Sequence, residues 1–218
     1  AVSMMMLALG GTQPETPSRE ALAAYEAAIP LADQKPALAR MRQLLRTAFP
    51  SASPLLNLEV SRVLAMVQED DPQLPRRVLA QITPRSAASA DFHYLAVLAR
   101  LPGPRPAELT VRTAAALTGL DRKLAGKRPG AEWNPRLVEL AAALFRQDAA
   151  LMETVLRQPD FPREGNLPLV ELMSPAQQLQ AAALFHSAAS RNPAFAFPPA
   201  MIALLAKLPP DQTAALYR

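Results

Sequence analysis

The placement of proline along the chain restricts what it can fold into. The 218 residues contain 23 prolines, and many fall between apolar stretches with helical spacing. Proline inside a helix removes a backbone hydrogen bond and clashes with the preceding turn, whereas the first turn accepts it readily. These prolines therefore predict helix boundaries. Three of them follow a helix-capping residue directly, in Ser53-Pro54, Asn134-Pro135 and Ser174-Pro175.

Two of the three predicted helix starts carry a second signal. Gln177 lies three residues after Ser174, the spacing of a capping box in which each side chain binds the other residue's backbone N–H. Trp133 precedes Asn134, and Val138 follows that cap by four positions, the spacing of a hydrophobic staple.

The balance of residue types predicts an all-α fold. Alanine occurs 43 times and leucine 34 times, while valine and isoleucine together occur only 13 times. Alanine and leucine favour helices, and β-branched residues favour strands. Apolar residues recur at helical spacing, which predicts about ten helices, over 17–29, 36–48, 54–69, 73–82, 89–101, 107–125, 135–147, 149–157, 175–190 and 198–208.

Short connections between these helices favour antiparallel neighbours. Asn134 and Ser174 are 40 residues apart, and Ser53 and Asn134 are 81 apart, close to two such steps. A step near 40 residues that contains two helices is typical of a HEAT-type solenoid. We therefore expect residues 1–218 to form one HEAT-like α-solenoid of antiparallel helix pairs, with 1–16 a poorly defined end; a general helical bundle is the alternative.

The apolar opening segment Val2–Leu9 favours a chain that is part of a longer polypeptide. It is too short to span a bilayer and lacks the basic start of a signal peptide. We interpret it as the end of a preceding helix; a trimmed signal remnant or a frayed terminus are the alternatives.

Composition argues against several classes of function. The net charge of +4 is spread along the chain and aromatic residues are only 5%, which disfavours a nucleic-acid interface. The absence of cysteine from this sequence excludes disulfides, thiolate metal sites and c-type haem attachment within it. No apolar run approaches the roughly 18 residues of a membrane span, so none is predicted.

The two histidines do not predict a metal or catalytic site. His93 and His186 are 93 positions apart, whereas metal ligands cluster at short spacing. Ser89 and His93 share a helix face, but Asp91 points away from it, so a serine–histidine–aspartate set is not favoured. We expect His93 to bond a backbone carbonyl or a carboxylate across helices. The acidic run 69–71 is expected to be a solvated turn, with Asp71 capping the next helix.

The densest basic cluster lies at the end of the longest predicted helix. Cations are favoured there by the helix dipole, so a solvated helix end is one interpretation. The other is a docking patch for an acidic partner or a phosphate-bearing surface, which Arg105 and Arg112 could extend. The patch consists of Arg122, Lys123, Lys127 and Arg128.

Several segments carry a resemblance to a known family. They are 58–64 (LEVSRVL), 91–106 (DFHYLAVLARLPGPRP), 119–125 (GLDRKLA), 133–137 (WNPRL) and 158–161 (QPDF). Together these segments, within roughly residues 50–208, resemble the HEAT-like helical region of the large planctomycete-type haem-binding proteins. In that family a β-propeller precedes the helical region, and a cytochrome c domain often follows it.

The resemblance implies a helical region and not an activity. It also implies a bacterial origin and a location in the cell envelope or periplasm. The chain lacks the Cys-x-x-Cys-His that the family uses to attach haem, so no catalytic, cofactor or metal residue is carried over.

We therefore expect a non-enzymatic scaffold or interaction module within a larger multidomain protein, binding a protein partner or neighbouring domains, with no cofactor of its own and no small-molecule substrate. The alternatives are an accessory segment of a haem redox protein and a small helical enzyme.

Overall fold

The computed structural model describes residues 21–27, 35–124, 127, 130–192 and 194–210. These residues form nine α-helices and two 3-10 segments, and none of them lies in a strand. The fold is therefore all-α, as the composition predicts. The α-helices are α1 (Lys35–Ala48), α2 (Pro54–Met66), α3 (Leu74–Leu79), α4 (Ala88–Leu98), α5 (Ala107–Leu124), α6 (Trp133–Gln147), α7 (Leu151–Leu156), α8 (Pro175–Arg191) and α9 (Pro199–Leu205).

Two of the three predicted caps are confirmed. Ser53 accepts a hydrogen bond from the backbone N–H of Leu56 at the start of α2. Ser174 and Gln177 form the expected capping box at the start of α8. The third prediction is wrong, because α6 begins at Trp133, one residue before Asn134. The Glu132 carbonyl already accepts from the N–H of Arg136 at 3.2 Å, so the helix begins before Asn134. The ring of Trp133 packs on Phe92 with ring centroids 5.4 Å apart.

The structure also differs from the expected pattern in two segments that form 3-10 turns. Of the predicted helix 17–29, the described residues contain only a 3-10 turn, Ala23–Tyr25. Residues 1–16, including Val2–Leu9, lie outside the described residues. A second 3-10 segment, Glu164–Leu172, was not expected from the sequence and contains Pro168.

The acidic run 69–71 is solvated only in part, because Asp70 is exposed but Glu69 is buried. Glu69 is buried because Arg42 and Arg46 of α1 cover it, and its Oε1 lies 3.5 Å from Arg46 Nη1. Asp71 accepts from the N–H of Gln73, at 2.9 Å, and pairs with Arg77. Gln73 is the N-cap of α3. Asp71 is therefore not the cap as expected, and it instead stabilises the turn before the helix.

The helices between α2 and α7 contact one another in two rows. One row runs from α2 to α4 to α6, and the other runs from α3 to α5 to α7. The α3–α4, α4–α5 and α6–α7 contacts connect the rows, while α1 has its principal contacts with α2, and α9 with α8 and the long 3-10 segment. The alternating contacts bury leucine and valine side chains along the middle of the molecule.

Aromatic side chains join the last helices to this core. Phe161 and Phe185 are fully buried and their rings meet edge to face, with centroids 5.5 Å apart. Phe195 contacts Phe185, and Phe197 contacts Phe195, in the same manner. Edge-to-face pairs gain energy beyond the area that they bury, so these phenylalanines fix the α8–α9 connection to the core.

Candidate functional site

A large open groove lies between α6, the long 3-10 segment, α8 and α9. Its volume is about 910 Å³. Apolar side chains make up most of its lining, and carboxylates and one lysine lie at its rim. The lining residues are Asn134, Pro135, Val138, Glu139, Glu164, Leu167, Pro168, Val170, Glu171, Gln178, Pro198, Ala200, Ala203, Leu204 and Lys207.

The 3-10 segment forms one wall of the groove because polar contacts anchor it to α5. The Asn166 side-chain amide donates to the Thr118 carbonyl at 3.2 Å and to the Asp160 carbonyl at 2.8 Å. Gly165 lies so close to Asp121 that an added Cβ would stand 2.1 Å from its Oδ1. Only glycine fits against α5 at this position, so the register of the wall is fixed.

The acidic residues of the groove are used differently. The Glu139 carboxylate accepts from the backbone N–H groups of Ala21 and Leu22, at 2.6 and 3.0 Å, and so holds the first described segment against α6. Glu164 and Glu171 are exposed and have no hydrogen-bond or ion-pair partner among the described residues. With Lys207 as the only cation of the lining, the rim keeps two carboxylates available to a partner.

The predicted docking patch divides into residues with different surroundings. Lys123 is largely buried, and its ammonium pairs with the buried carboxylate of Asp91. It also donates to the Thr83 carbonyl at 2.5 Å and to Ser86 Oγ at 2.9 Å. Its charge is therefore used within the fold.

The other members of the patch lie nearer to solvent. Arg122 is exposed and its Nη1 lies 2.6 Å from Asp160 Oδ2. Lys127 is exposed, and Arg128 lies outside the described residues. Of the two residues expected to extend the patch, Arg112 lines a groove of about 250 Å³ beside Arg122. Arg105 instead donates to the Leu98 and Leu101 carbonyls and to Gln147.

His93 lies in a buried cluster with two hydroxyl groups. Its Nδ1 is 2.9 Å from Tyr25 Oη, and its Nε2 is 2.8 Å from Ser61 Oγ. The Ser61 hydroxyl donates to the Leu58 carbonyl at 3.1 Å. Ser61 therefore accepts from Nε2–H, and the Tyr25 hydroxyl donates to Nδ1, which assigns the tautomer of His93.

Burial keeps this cluster uncharged. Desolvation, with the nearby positive charge of Arg62, lowers the pKa of His93 to about 3. Desolvation likewise raises the pKa of Tyr25 to about 12, against a smaller opposing effect of Arg62. The cluster ties the segment 21–27 to α2 and α4 through hydroxyls. A backbone hydrogen bond with Leu58 of α2, which acts to raise the pKa of His93, agrees with the expected bond to a carbonyl across helices. Asp91 binds Ser86 and Lys123, so the serine–histidine–aspartate set is not assembled.

Among the described residues, no three histidine, aspartate or glutamate side chains converge to hold a metal ion. None of the helices described is long and apolar enough to cross a membrane. Comparison with models of protein families, with curated proteins and with solved structures finds no match.

Sequence reasoning missed the groove. Its walls come from residues as far apart as 134 and 207, and they meet only through the packing of α6, the 3-10 segment and α9. A partial signal was present in the sequence, since Glu164 and Glu171 bracket the apolar stretch Leu167–Val170 without a basic residue between them.

Proposed function

We propose that this chain is a non-enzymatic helical-repeat module that binds a protein partner or a neighbouring domain in the groove between α6, the long 3-10 segment and α9. The observation that carries the proposal is the composition of that groove. Its apolar lining includes Val138, Leu167 and Leu204, and its rim carries the exposed carboxylates Glu164 and Glu171, which have no partner among the described residues.

Such a groove suits a protein segment with an apolar face. An amphipathic helix laid into an apolar groove is a recurrent mode of recognition. Apolar contacts would supply affinity, and the rim carboxylates would select the orientation and the charge of the partner.

The contact pattern supports a solenoid of antiparallel helix pairs as the architecture of the module. In a solenoid each repeat contacts mainly its neighbours, and the two rows α2–α4–α6 and α3–α5–α7 have this property. Exposed apolar side chains also concentrate on the first and last helices. Leu44, Leu55 and Leu56 lie on α1 and α2, while Leu179 and Ile202 lie on α8 and α9. Repeats at the ends of a stack leave such faces for a neighbour to cover.

A photo-crosslinking amino acid tests the proposal inside cells. We would place it at Ala200 in the groove and, as a matched control, at Ala183, an exposed alanine of α8 outside the groove. We expect one discrete crosslinked protein or neighbouring domain from Ala200 only, lost when Ala203→Glu places a charge on the groove floor. Equal crosslinking from both positions, or none from Ala200, would contradict the proposal.

A second candidate is an accessory segment of a haem redox protein, which the resemblance described above favours. Under this proposal the haem is attached elsewhere in a longer polypeptide of the bacterial envelope, since this sequence has no cysteine. The mass and haem absorbance of the native protein test it. A much larger haem-containing polypeptide would support it, and a haem-free product near 23.5 kDa would refute it.

A further inference from the structure

The large exposed apolar side chains are distributed unevenly over the described residues. There are seven, and only Val111 lies in the middle of the molecule, on α5. Leu44, Leu55 and Leu56 lie at the α1–α2 end, and the remaining three lie at the α8–α9 end, namely Leu179, Phe197 and Ile202.

The exposed side chains of the α1–α2 end include one arginine, Arg40, and three leucines. Leu44 stands one turn before the end of α1, Leu55 and Leu56 stand in the first turn of α2, and residues 49–53 connect the two helices. Leu44 is 56% exposed and Leu55 is 71% exposed. We call Arg40, Leu44, Leu55 and Leu56 the α1–α2 corner.

The charge of this corner is opposite to that of the groove. The sequence of α1 contains three arginines and no acidic residue. Arg42 and Arg46 form ion pairs with Glu69. Arg40 is exposed and has no partner among the described residues. The groove rim carries Glu164 and Glu171, which likewise have no partner in the part of the chain that the structure describes.

The corner and the groove belong to helices that share no principal contact with each other. The principal contacts of α1 are with α2, and those of α9 are with α8 and the 3-10 segment. From these facts we infer that the groove of one molecule receives the α1–α2 corner of a second copy, so that copies stack head to tail. The inference rests on the proposed function and names the partner as the chain itself.

Head-to-tail contacts have a distinctive consequence. A heterologous interface leaves one groove and one corner free after every addition, so assembly continues past the dimer unless a ring closes. Apolar contact of Leu44 and Leu55 with the groove floor supplies affinity, and pairing of Arg40 with the rim carboxylates makes assembly sensitive to salt.

Sedimentation velocity of the purified full chain over a wide range of concentration tests the inference. We expect the average mass to rise beyond that of a dimer and to fall in high salt. Leu44→Glu on the corner and Ala203→Glu in the groove should each remain monomeric. Both positions are exposed, so circular dichroism should show unchanged helicity. Val111→Glu is the matched control and should assemble like the native chain.

Mixing the two monomeric variants makes the test specific. The Ala203→Glu chain keeps a native corner and the Leu44→Glu chain keeps a native groove, so the mixture should form a one-to-one dimer that cannot extend. A native chain that stays monomeric at every concentration, or that stops at a closed dimer, overturns the inference. If Ala200 then still crosslinks a different protein in cells, the proposed function stands while the self-stacking does not.

Discussion

Arg122 and Lys123 are adjacent cations on α5, yet the structure predicts very different consequences of removing them. The Lys123 side chain is 14% exposed and pairs with Asp91, whose side chain is 1% exposed. The Arg122 side chain is 59% exposed and pairs with Asp160. Replacing each cation with methionine keeps an unbranched apolar side chain and removes only the charged group.

The expected losses differ several-fold. Lys123→Met leaves the Asp91 carboxylate buried with the Ser86 hydroxyl as its remaining side-chain partner. Breaking one side of a buried pair costs about 3–5 kcal/mol of the free energy of unfolding. For a domain of this size that corresponds to a fall in melting temperature of roughly 6–20 °C. Arg122→Met removes an exposed pair, worth below about 1 kcal/mol.

Urea denaturation followed by circular dichroism measures both variants. Adding Asp91→Asn to Lys123→Met should restore part of the lost stability, because a buried amide costs less than a buried unpaired carboxylate. Equal losses of the free energy of unfolding from Lys123→Met and Arg122→Met would refute the reasoning. They would mean that Lys123 is exposed to solvent, as the docking patch requires.

Three further predictions concern stability. Gly165→Ala should lower the free energy of unfolding by about 1–3 kcal/mol, because the added methyl group crowds Asp121. Urea denaturation measures the loss, and Gly130→Ala is the control because Gly130 has open space around it. Ser174→Ala should cost about 1 kcal/mol by the same assay; no loss would mean the capping box is not formed. His93 should destabilise the fold below pH 6.5, because the unfolded chain binds a proton that the folded chain binds only near pH 3. The free energy of unfolding should fall by about 1.4 kcal/mol for each pH unit below that point. A His93→Gln variant that shows the same fall would contradict this prediction.

The helices could be predicted because their signals are local. Ser53-Pro54 and the Ser174–Gln177 pair determine where α2 and α8 begin within a few residues of sequence. Asn134 is not the cap because the backbone hydrogen bonds of α6 already start at the Glu132 carbonyl, which the Asn134-Pro135 signal does not reveal. The 3-10 segment was missed because Pro168 interrupts any helical pattern there.

The site could be predicted much less well, because it depends on which side chains face each other. Nothing in the sequence distinguishes Lys123 from Arg122, since both stand in one basic cluster. Their difference comes from Asp91, 32 positions earlier, which packing brings against Lys123 alone. The burial of Glu69 under Arg42 and Arg46 has the same origin.

The central claim is that the groove between α6, the long 3-10 segment and α9 is a docking surface. Because the sequence has no cysteine, a single cysteine can be placed at Ala203 in the groove or at Ala183 outside it. The measurement is the rate of maleimide labelling of each cysteine, in cells and in the dilute purified chain. The account predicts slower labelling in cells at Ala203 only, and the same ratio of rates at both positions would contradict it.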